Sequence, residues 1–265
     1  MIISIANQKG GVGKTTTAIN LAHKFAMMNK SVLLLDLDGQ GHAATGLKLE
    51  KSNGLYRLLV DGQPLESVRQ SARPNLDIVT NDHTGELVKT HIQQANFKEY
   101  ILANALEEAA QQYDLIVLDT PPSTDVLHIL ALVASDYLLI PANMDYLALD
   151  GVGYVYKTLR TLARYPGVTP PAVIGVLPTM FDRTTNETMQ NVRNLGERLG
   201  DGAILPPIPR DTRIREASAC GQTIWEYAPE SQAAIGFSQP GACNVNANGR
   251  VGGYIHLTEI VWHLM

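Results

Sequence analysis

The stretch of sequence that decides the fold is Gln8-Lys9-Gly10-Gly11-Val12-Gly13-Lys14-Thr15-Thr16. An apolar run at residues 2–6 precedes it and predicts a β-strand, and a helical pattern at residues 14–28 follows it. Glycines let the backbone N–H groups of such a loop turn inward and let a phosphate approach closely. The positive N-terminus of the next helix then points at the anion. The sequence therefore predicts a phosphate-binding loop between a strand and a helix.

Two side chains of this loop have predicted roles. Lys14 can reach the β- and γ-phosphates of a nucleotide, and the Thr15 hydroxyl can bind Mg²⁺. The strict pattern G-x-x-x-x-G-K-[ST] is not met, because Gln8 stands where the first glycine belongs. The loop carries an additional lysine, Lys9, beside that position.

Acidic residues end two other apolar runs. Asp36 and Asp38 follow the run 32–35, and Asp119 follows the run 115–118. Ligands of parallel sheets bind at the carboxyl ends of the strands, and strand alternation places Asp36 and Asp38 on the same side. Asp119 is predicted to hold Mg²⁺ directly or through water, as the second acidic element does in phosphate-loop nucleotidases.

Apolar strand candidates alternate with helical patterns along the chain, which predicts a parallel sheet with helices on both faces. The strand candidates are residues 2–6, 31–37, 76–80, 115–119, 137–141, 172–178 and 203–205. The helix candidates are residues 14–28, 97–112, 124–134, 149–165, 186–199 and 213–220. We expect an α/β fold: a single P-loop NTPase domain, residues 1–265, with a mostly parallel, doubly wound sheet.

The C-terminal part of the chain has a different composition. Residues 238–253 are rich in Gly and Asn and nearly uncharged, which predicts an inserted loop. Residues 254–265 have the pattern of a closing helix without Lys or Arg, so a basic amphipathic membrane anchor is not expected.

Composition and charge exclude several classes of protein. The chain has 265 residues, a formal net charge of −5 and two cysteines, Cys220 and Cys243, too few for a disulfide scaffold or a four-cysteine metal site. No apolar run is long enough to span a bilayer, and no export signal is visible. Basic residues are concentrated at 157–216, where eight of nine are Arg. Arg suits phosphate contacts, although a solvated surface with local ion pairs explains the same count.

Several motifs together resemble the ParA/MinD family of ATPases. Residues 9–16 resemble the family's deviant Walker A motif, residues 36–41 its D-L-D-P-Q-G segment, and residues 119–122 its D-x-P-P segment. Similarity continues through residues 141–151, 175–184, 208–217 and 227–231. The resemblance covers almost the whole chain and is closest to the small, Soj-like ParA partition ATPases.

The resemblance implies a role for each residue of these motifs. Lys9 would contact the partner's nucleotide across an ATP-sandwiched homodimer, and Asp38 would orient the attacking water. The nucleotide phosphates would be bound by Gly10, Gly11, Val12, Gly13, Lys14, Thr15 and Thr16. Mg²⁺ would be held by Thr15, Asp38 and Asp119. The adenine would lie near Met180, Asp182, Pro209 and Arg210, and DNA would contact Arg193, Arg213 and Arg215.

The implied function is a Mg²⁺-dependent ATPase that partitions or positions a cargo such as a plasmid, a chromosome or a protein organelle. Its ATP-bound homodimer would bind double-stranded DNA non-specifically, and a ParB-like or analogous adaptor would stimulate slow hydrolysis. The protein would be cytoplasmic and nucleoid-associated, with no membrane partner expected.

Three alternatives stay open beside this interpretation. A MinD-like, membrane-associated positioning ATPase needs the basic C-terminal helix that residues 254–265 lack. An electron-transfer ATPase of the nitrogenase-reductase type needs two cysteines after the acidic strand, whereas Cys220 and Cys243 lie far downstream. The third is a module that binds ATP without hydrolysing it. The chain also departs from the family pattern at Gly39, where Pro is usual, and at His42, where Asn is usual; we expect His42 to be a surface residue.

Overall fold

A seven-stranded sheet forms the centre of the molecule. The computed structural model describes residues 1–200, 202–238, 240–243 and 253–256. The strands of the sheet are β1 Ile2–Ile5, β2 Val32–Asp36, β3 Gln70–Arg73, β4 Leu76–Val79, β5 Leu115–Asp119, β6 Tyr137–Asn143 and β7 Ala172–Thr179. Their order across the sheet is β3-β4-β2-β5-β1-β6-β7. Only β3 is antiparallel to its neighbour, so the predicted α/β class with a mostly parallel sheet is confirmed.

The strands are buried on both faces because their side chains are almost all apolar. In β2, Val32 and Leu34 point into one core, and Leu33 and Leu35 into the core on the opposite face. All four side chains are completely inaccessible to solvent. Full burial of one such side chain stabilises a fold by about 1.5–3 kcal/mol. The continuous apolar runs of the sequence therefore correspond to strands covered by helices on both sides.

Helices cover both faces of the sheet. Their bounds are α1 Lys14–Met27, α2 His42–Gly46, α3 Gly54–Leu59, α4 Leu65–Val68, α5 Gly85–Gln94, α6 Ile101–Ala105, α7 Ala109–Gln112, α8 Val126–Ala134, α9 Ala148–Leu162, α10 Asn186–Leu199, α11 Thr212–Cys220, α12 Ile224–Tyr227 and α13 Gln232–Ser238. A short 3₁₀ turn occupies Lys98–Tyr100. Within the described ranges, no helix combines the length and the apolarity that crossing a bilayer requires.

Both edges of the sheet are covered. At one edge, β3 is four residues long and its pairing with β4 is irregular between Ser71 and Arg73. The Arg73 guanidinium donates to Glu226 of α12 at 2.6 Å and to the Gly221 carbonyl at 2.7 Å. At the other edge, residues 203–208 run along β7 and exchange backbone hydrogen bonds of 2.8 Å with it. This segment makes a single bridge, Val176 to Ile204, where the sequence predicts a strand.

The structure differs from the predicted helices in several regions, and it contains α5, α12 and α13, none of which is predicted. The single helix predicted at residues 97–112 is divided into the 3₁₀ turn, α6 and α7. Phe97 has a left-handed conformation, φ 50°, so a regular helix does not begin there, and residues 106–108 form a turn between α6 and α7. The segment between β2 and β4, for which no element is predicted, contains α2, α3, α4 and β3, because short elements give too little periodicity to detect.

The C-terminal segment also differs from the prediction. The ends of the predicted loop form strands, β8 Pro240–Cys243 and β9 Gly253–His256, which pair antiparallel as a separate two-stranded sheet. The predicted closing helix is wrong at residues 254–256, which belong to β9. Tyr254 and Ile255 are residue types that favour strands. The rest of that helix, residues 257–265, and the middle of the predicted insertion, residues 244–252, lie outside the described residues.

A buried histidine stands out in α8. Asp125 caps this helix by accepting hydrogen bonds from the N–H groups of Leu127 and His128 at 3.1 and 3.3 Å. The His128 side chain is completely buried, and neither ring nitrogen has a hydrogen-bond partner among the described residues. Burial lowers the pKa of His128 to about 4, opposed by the charge of Asp125 and reinforced by that of Lys14. His128 is therefore neutral at pH 7.

We predict that His128→Leu makes the protein more stable in acid. Below pH 6.5 His128 binds a proton in the unfolded chain, whereas in the folded chain it does so only below about pH 4. The wild type therefore loses stability as the pH falls from 6.5 to 4. The variant should gain on the order of 3 kcal/mol relative to the wild type between pH 6.5 and pH 4. Urea unfolding at several pH values measures this difference.

The exposed His42 supplies the control for this experiment. His42→Gln should follow the wild-type pH dependence. Comparison of each variant with the wild type removes the opposite contribution of the buried carboxyl groups, whose raised pKa values favour folding in acid. Parallel pH profiles for wild type and His128→Leu would contradict the prediction.

Candidate nucleotide-binding site

The glycine-rich loop is anchored to two neighbouring strands. The Thr179 hydroxyl at the end of β7 donates to the carbonyl of Val12 at 2.8 Å. Asn7 accepts from the N–H of Lys9 at 3.0 Å and donates to the carbonyl of Pro141 in β6 at 2.8 Å. The loop is thus fixed before any ligand binds.

Two glycines of the loop have a positive φ angle. Gly11 and Gly13 have φ of 72° and 85°, a region that side chains with a Cβ rarely adopt. Gly13 is the N-cap of α1 and brings no side chain to the helix N-terminus. The first N–H groups of α1 can therefore bind an anion rather than a capping side chain.

Lys14 lies in the interior of this loop. Its side chain is 7% exposed, and its ammonium donates to the carbonyl of Lys9 at 3.1 Å. Burial lowers the pKa of Lys14, whereas the charges of Asp119 and Asp38 raise it. The structure thus brings together three residues predicted from separate motifs: the loop lysine and an acid from each of two strand ends. Thr15 and Thr16 follow Lys14 in the first turn of α1.

Asp36 and Asp119 lie side by side at the carboxyl ends of β2 and β5, where they are directly paired in the sheet register. Both are completely buried. Asp36 accepts from the N–H groups of Asp38 at 3.0 Å and Ala43 at 2.9 Å, so it holds the loop that carries Asp38. Burial, with repulsion from Asp119, raises the pKa of Asp36 well above its usual value. Asp36 is therefore a structural residue of the site.

Asp119 has the opposite character. Neither carboxylate oxygen has a hydrogen-bond partner of normal geometry in the described part of the chain, although the Thr15 hydroxyl is near enough to favour the charged form. Burial raises the pKa of Asp119 to about 7; Thr15 and Lys14 lower it, and Asp38 raises it further. A buried carboxylate without a partner is costly, which marks this position as one that a cation can complete.

The donor set suits Mg²⁺ that arrives with phosphates. Carboxylate and hydroxyl oxygens of Asp119 and Thr15 are ligands that Mg²⁺ prefers, and Asp38 lies in the same electrostatic environment. Within the described residues there is no cluster of three or more His, Cys, Asp or Glu side chains able to hold a metal ion alone. This agrees with the usual Mg²⁺ site, where one or two carboxylates act together with substrate phosphates.

A cavity of about 420 Å³ opens beside the loop. This volume is within the range of small-molecule sites. Its wall is formed by the bridge between Phe181 and Pro209, with the N–H of Arg210 donating to the Phe181 carbonyl at 3.1 Å. The cavity is lined by Gly13, Thr16, Thr17, Thr179, Met180, Ile208, Pro209, Arg210, Asp211, Thr212, Ile214, Arg215 and Phe237.

Met180, Pro209 and Arg210, for which an adenine contact is predicted, line this cavity, whereas Asp182 does not. The carboxylate of Asp182 instead accepts from the N–H and hydroxyl of Thr184 at 2.9 and 2.6 Å in a local turn. Arg215, predicted to contact DNA, is on the lining.

Lys9 points away from the loop interior. Its ammonium forms an ion pair of 2.5 Å with Asp145, in the segment that follows β6. Both side chains are partly exposed, at 26% and 33%. Sequence reasoning assigned no role to Asp145, although it lies within the segment 141–151 that resembles the family pattern.

The three predicted DNA-binding arginines lie on two helices. Arg193 is exposed on α10, and Arg213 and Arg215 are on α11. Arg213 is already paired, since its guanidinium donates twice to Asp211 at 2.8 and 2.9 Å. Asp211 also caps α11 through the N–H of Arg213. His42 is exposed at the start of α2, as predicted.

Solved structures share this fold. McdA from Cyanothece superposes with a TM-score of 0.80 at 22% identity, covering 86% of this chain and 93% of McdA. Cobyrinic acid a,c-diamide synthase from Mycobacterium smegmatis, solved with an ATP analogue and magnesium, superposes with a TM-score of 0.73 at 25% identity. That alignment covers 83% of this chain and 90% of the synthase.

The sequence comparisons are more specific. A family model described as an AAA domain matches residues 1–167. The sporulation initiation inhibitor protein Soj of Bacillus subtilis is 37% identical over 237 residues, 88% of this chain and 93% of Soj. The chromosome-partitioning ATPase Soj of Thermus thermophilus is 39% identical over 235 residues, 88% of this chain and 90% of that protein. The motifs, the fold and these similarities together place the chain in the Soj/ParA family of partitioning ATPases.

Proposed function

We propose that this protein hydrolyses ATP with Mg²⁺ and that its ATP-bound homodimer binds DNA without sequence preference in order to position a cargo. The observation that carries the proposal is the buried Asp119 carboxylate, which lies beside Thr15 and Lys14 at the glycine-rich loop and has no hydrogen-bond partner of normal geometry in the part of the chain that the structure describes. The same groups serve ATP hydrolysis in phosphate-loop enzymes. Membership of the Soj/ParA family supports the cellular role.

ATP binding follows from the loop. The backbone of residues 10–13 and the N-terminus of α1 bind the phosphates, with Lys14 on the β- and γ-phosphates and Thr16 on the α-phosphate. Lys14 then exchanges its contact with the Lys9 carbonyl for the phosphates. The base occupies the cavity beside Met180, Pro209 and Arg210. Thr15, Asp38 and Asp119 would hold Mg²⁺, which would supply positive charge to the phosphates.

Hydrolysis depends on positioned groups. Asp38 is half-buried at the end of β2, and its carboxylate accepts from the N–H of Gln40 at 3.0 Å, which holds it in place. Its role is to orient the attacking water. Lys9 of a second subunit supplies positive charge to the transition state, as an arginine finger does.

The ion pair of Lys9 with Asp145 opposes this arrangement. Lys9 contacts its own subunit's Asp145, so it leaves this partner before it reaches the nucleotide of another subunit. Exposed or partly exposed ion pairs stabilise a conformation by about 0–1 kcal/mol. The pair therefore favours the monomer slightly and does not prevent dimerisation.

DNA binding is expected to rest on phosphate contacts of the Arg-rich face. Arg193 is exposed, whereas Arg213 is paired with Asp211 and Arg215 borders the cavity. Arg213 and Arg215 therefore also connect the DNA contacts with the nucleotide cavity. The adaptor that stimulates hydrolysis is expected to be ParB-like, and DNA binding would locate the protein on the nucleoid in the cytoplasm.

We predict that random-sequence duplex DNA binds tightly only in the presence of ATP and Mg²⁺. Lys14→Ala should lose this binding, because ATP no longer supports the dimer. Arg213→Ala/Arg215→Ala and Arg193→Ala should weaken it, with the slope of log K against log salt falling by about one for each lost phosphate contact. Fluorescence anisotropy with ATP, with ADP and without nucleotide measures all of these.

Lys98→Ala is the charge-matched control, since Lys98 is exposed outside the Arg-rich stretch. Its affinity and salt slope should equal those of the wild type. Absence of DNA binding in every nucleotide state would refute the DNA role. Vesicle sedimentation in the same states would then test the MinD-like alternative.

We predict that Asp145→Asn strengthens ATP-dependent dimerisation by about two- to fivefold, because Lys9 is no longer held within its own subunit. Asn keeps the acceptor that binds the N–H of Leu147, so the local turn is preserved. Analytical ultracentrifugation with a non-hydrolysable ATP analogue gives the dissociation constant. Asp150→Asn, an exposed acid in α9, is the matched control, and equal constants for both variants would contradict the prediction.

We predict that Asp119→Asn stabilises the nucleotide-free protein by roughly 1–3 kcal/mol, since it removes a buried charge without a partner. The folded pKa of about 7 lies above the unfolded value of 3.8, so the gain should appear as pH rises from 4 to 7. ATP hydrolysis should be lost in the same variant. Thermal unfolding of wild type, Asp119→Asn and the exposed Asp61→Asn over this pH range tests both signs.

A further inference from the structure

Helix α5 contacts the loop that carries Asp38. A Cβ built on Gly39 would lie 3.4 Å from the carbonyl oxygen of Asp82 and 3.8 Å from the Cα of Gly85, the first residue of α5. A Cβ on Gly41 would approach the Asn81 carbonyl to 2.5 Å. The segment 39–41 therefore packs backbone to backbone on the turn that starts α5.

This turn is rigid. The Asp82 carboxylate accepts from the N–H and hydroxyl of Thr84 at 2.9 and 2.5 Å, and the N–H of Asp82 donates to the Asn81 side chain at 2.9 Å. Asn81 is completely buried. A displacement of the Asp38 loop is thus transmitted to the N-terminus of α5 instead of being absorbed by side chains.

One turn along α5, Lys89 joins this helix to the loop of residues 119–125, which begins at Asp119. Its ammonium contacts Asp125 at 2.8 Å and Glu86 at 2.8 Å, and the Lys89 side chain is 19% exposed. Burial lowers the pKa of Lys89, but the hydrogen bonds to the two acids outweigh it and leave the pKa raised. Lys89 is therefore a well-paired cation with little access to water.

Asp125 ends the loop that begins at Asp119. One carboxylate oxygen caps α8 through the N–H groups of Leu127 and His128, and the other accepts from Lys89. Within this loop, Pro122 lies against the phosphate loop, 3.8 Å from a Cβ built on Gly10. The Asp125 carboxylate therefore joins the start of α8 to Lys89 of α5, at the end of the loop that carries Pro122.

We propose that Lys89 is a positioning residue that couples the loop of Asp38 to the loop of Asp119 through α5. The inference rests on the proposed ATPase function, because it assigns these two loops to the reaction. The backbone at the N-terminus of α5 contacts the loop of Asp38. The Lys89–Asp125 ion pair joins the same helix to the loop of Asp119. The carboxylates of Asp38 and Asp119, whose charges both act on Lys14, then keep a fixed separation.

The test compares Lys89→Met, which keeps the length and apolar stem of the side chain, with Lys89→Arg, which restores the charge. Lys89→Met should lower kcat roughly tenfold with little change in the KM for ATP, since misplaced catalytic groups cost rate more than binding. Lys89→Arg should recover most of the loss. Glu86→Gln is the matched control, because it removes the exposed partner of Lys89 and leaves Asp125 paired.

Hydrogen exchange of the nucleotide-free protein gives a readout that does not depend on activity. Lys89→Met should raise the exchange rates of the capped Leu127 and His128 amides and also those of residues 40 and 41, which are far from Lys89 in sequence. Faster exchange at residues 127–128 alone would mean that Lys89 only caps α8 through Asp125, and the coupling would be refuted.

The outcomes separate this inference from the proposed function. If the wild type hydrolyses ATP and Lys89→Met has the wild-type kcat, the coupling fails and the ATPase function stands. A wild type without ATPase activity would defeat the proposed function instead. Melting temperatures of all variants identify a loss of folding, and a kcat loss that Lys89→Arg does not rescue would also overturn the inference.

Discussion

The rest of the structure depends on burying two carboxylates next to each other. Asp36 and Asp119 are paired across β2 and β5 and fully enclosed, so burial raises the pKa of both, and the charge of Asp119 raises the pKa of Asp36 further. The sheet tolerates them because they have different surroundings. Asp36 accepts from two backbone N–H groups and shapes the loop after β2, whereas the oxygens of Asp119, beside Thr15 and Lys14, have no hydrogen-bond partner of normal geometry among the described residues.

These buried charges destabilise the ligand-free protein at the site where a ligand would bind. In the absence of a ligand, burial of the Asp119 carboxylate lowers the stability of the folded chain, and so does burial of the Lys14 ammonium, which donates only to the Lys9 carbonyl among the described residues. A ligand that binds only the folded chain stabilises it in proportion to its concentration over its dissociation constant. Binding of a ligand in the site therefore stabilises the folded chain and the loops around the site. In the absence of a ligand, the loops are held by their contacts with β6, β7 and α5.

Local patterns made much of this predictable. The glycine spacing before Lys14 and the apolar runs ending in Asp36 and Asp119 specify a strand, a turn and a helix with little help from the rest of the chain. The ion pairs of Lys9 with Asp145 and of Lys89 with Asp125 join residues far apart in sequence, so no local pattern indicates them. The predictions of a single helix at residues 97–112 and of a loop and helix near the C-terminus were wrong for a related reason, because the hydrophobic periodicity is weak in both segments.

The covered edges of the sheet have a consequence for how such a protein survives crowding. A protein at high local concentration repeatedly meets other copies of itself. Open strand edges would then pair between molecules and aggregate irreversibly. The short, irregular β3, whose Arg73 binds Glu226 of α12, and the segment 203–208 along β7 both disfavour such pairing. Association of copies through their strand edges is therefore disfavoured.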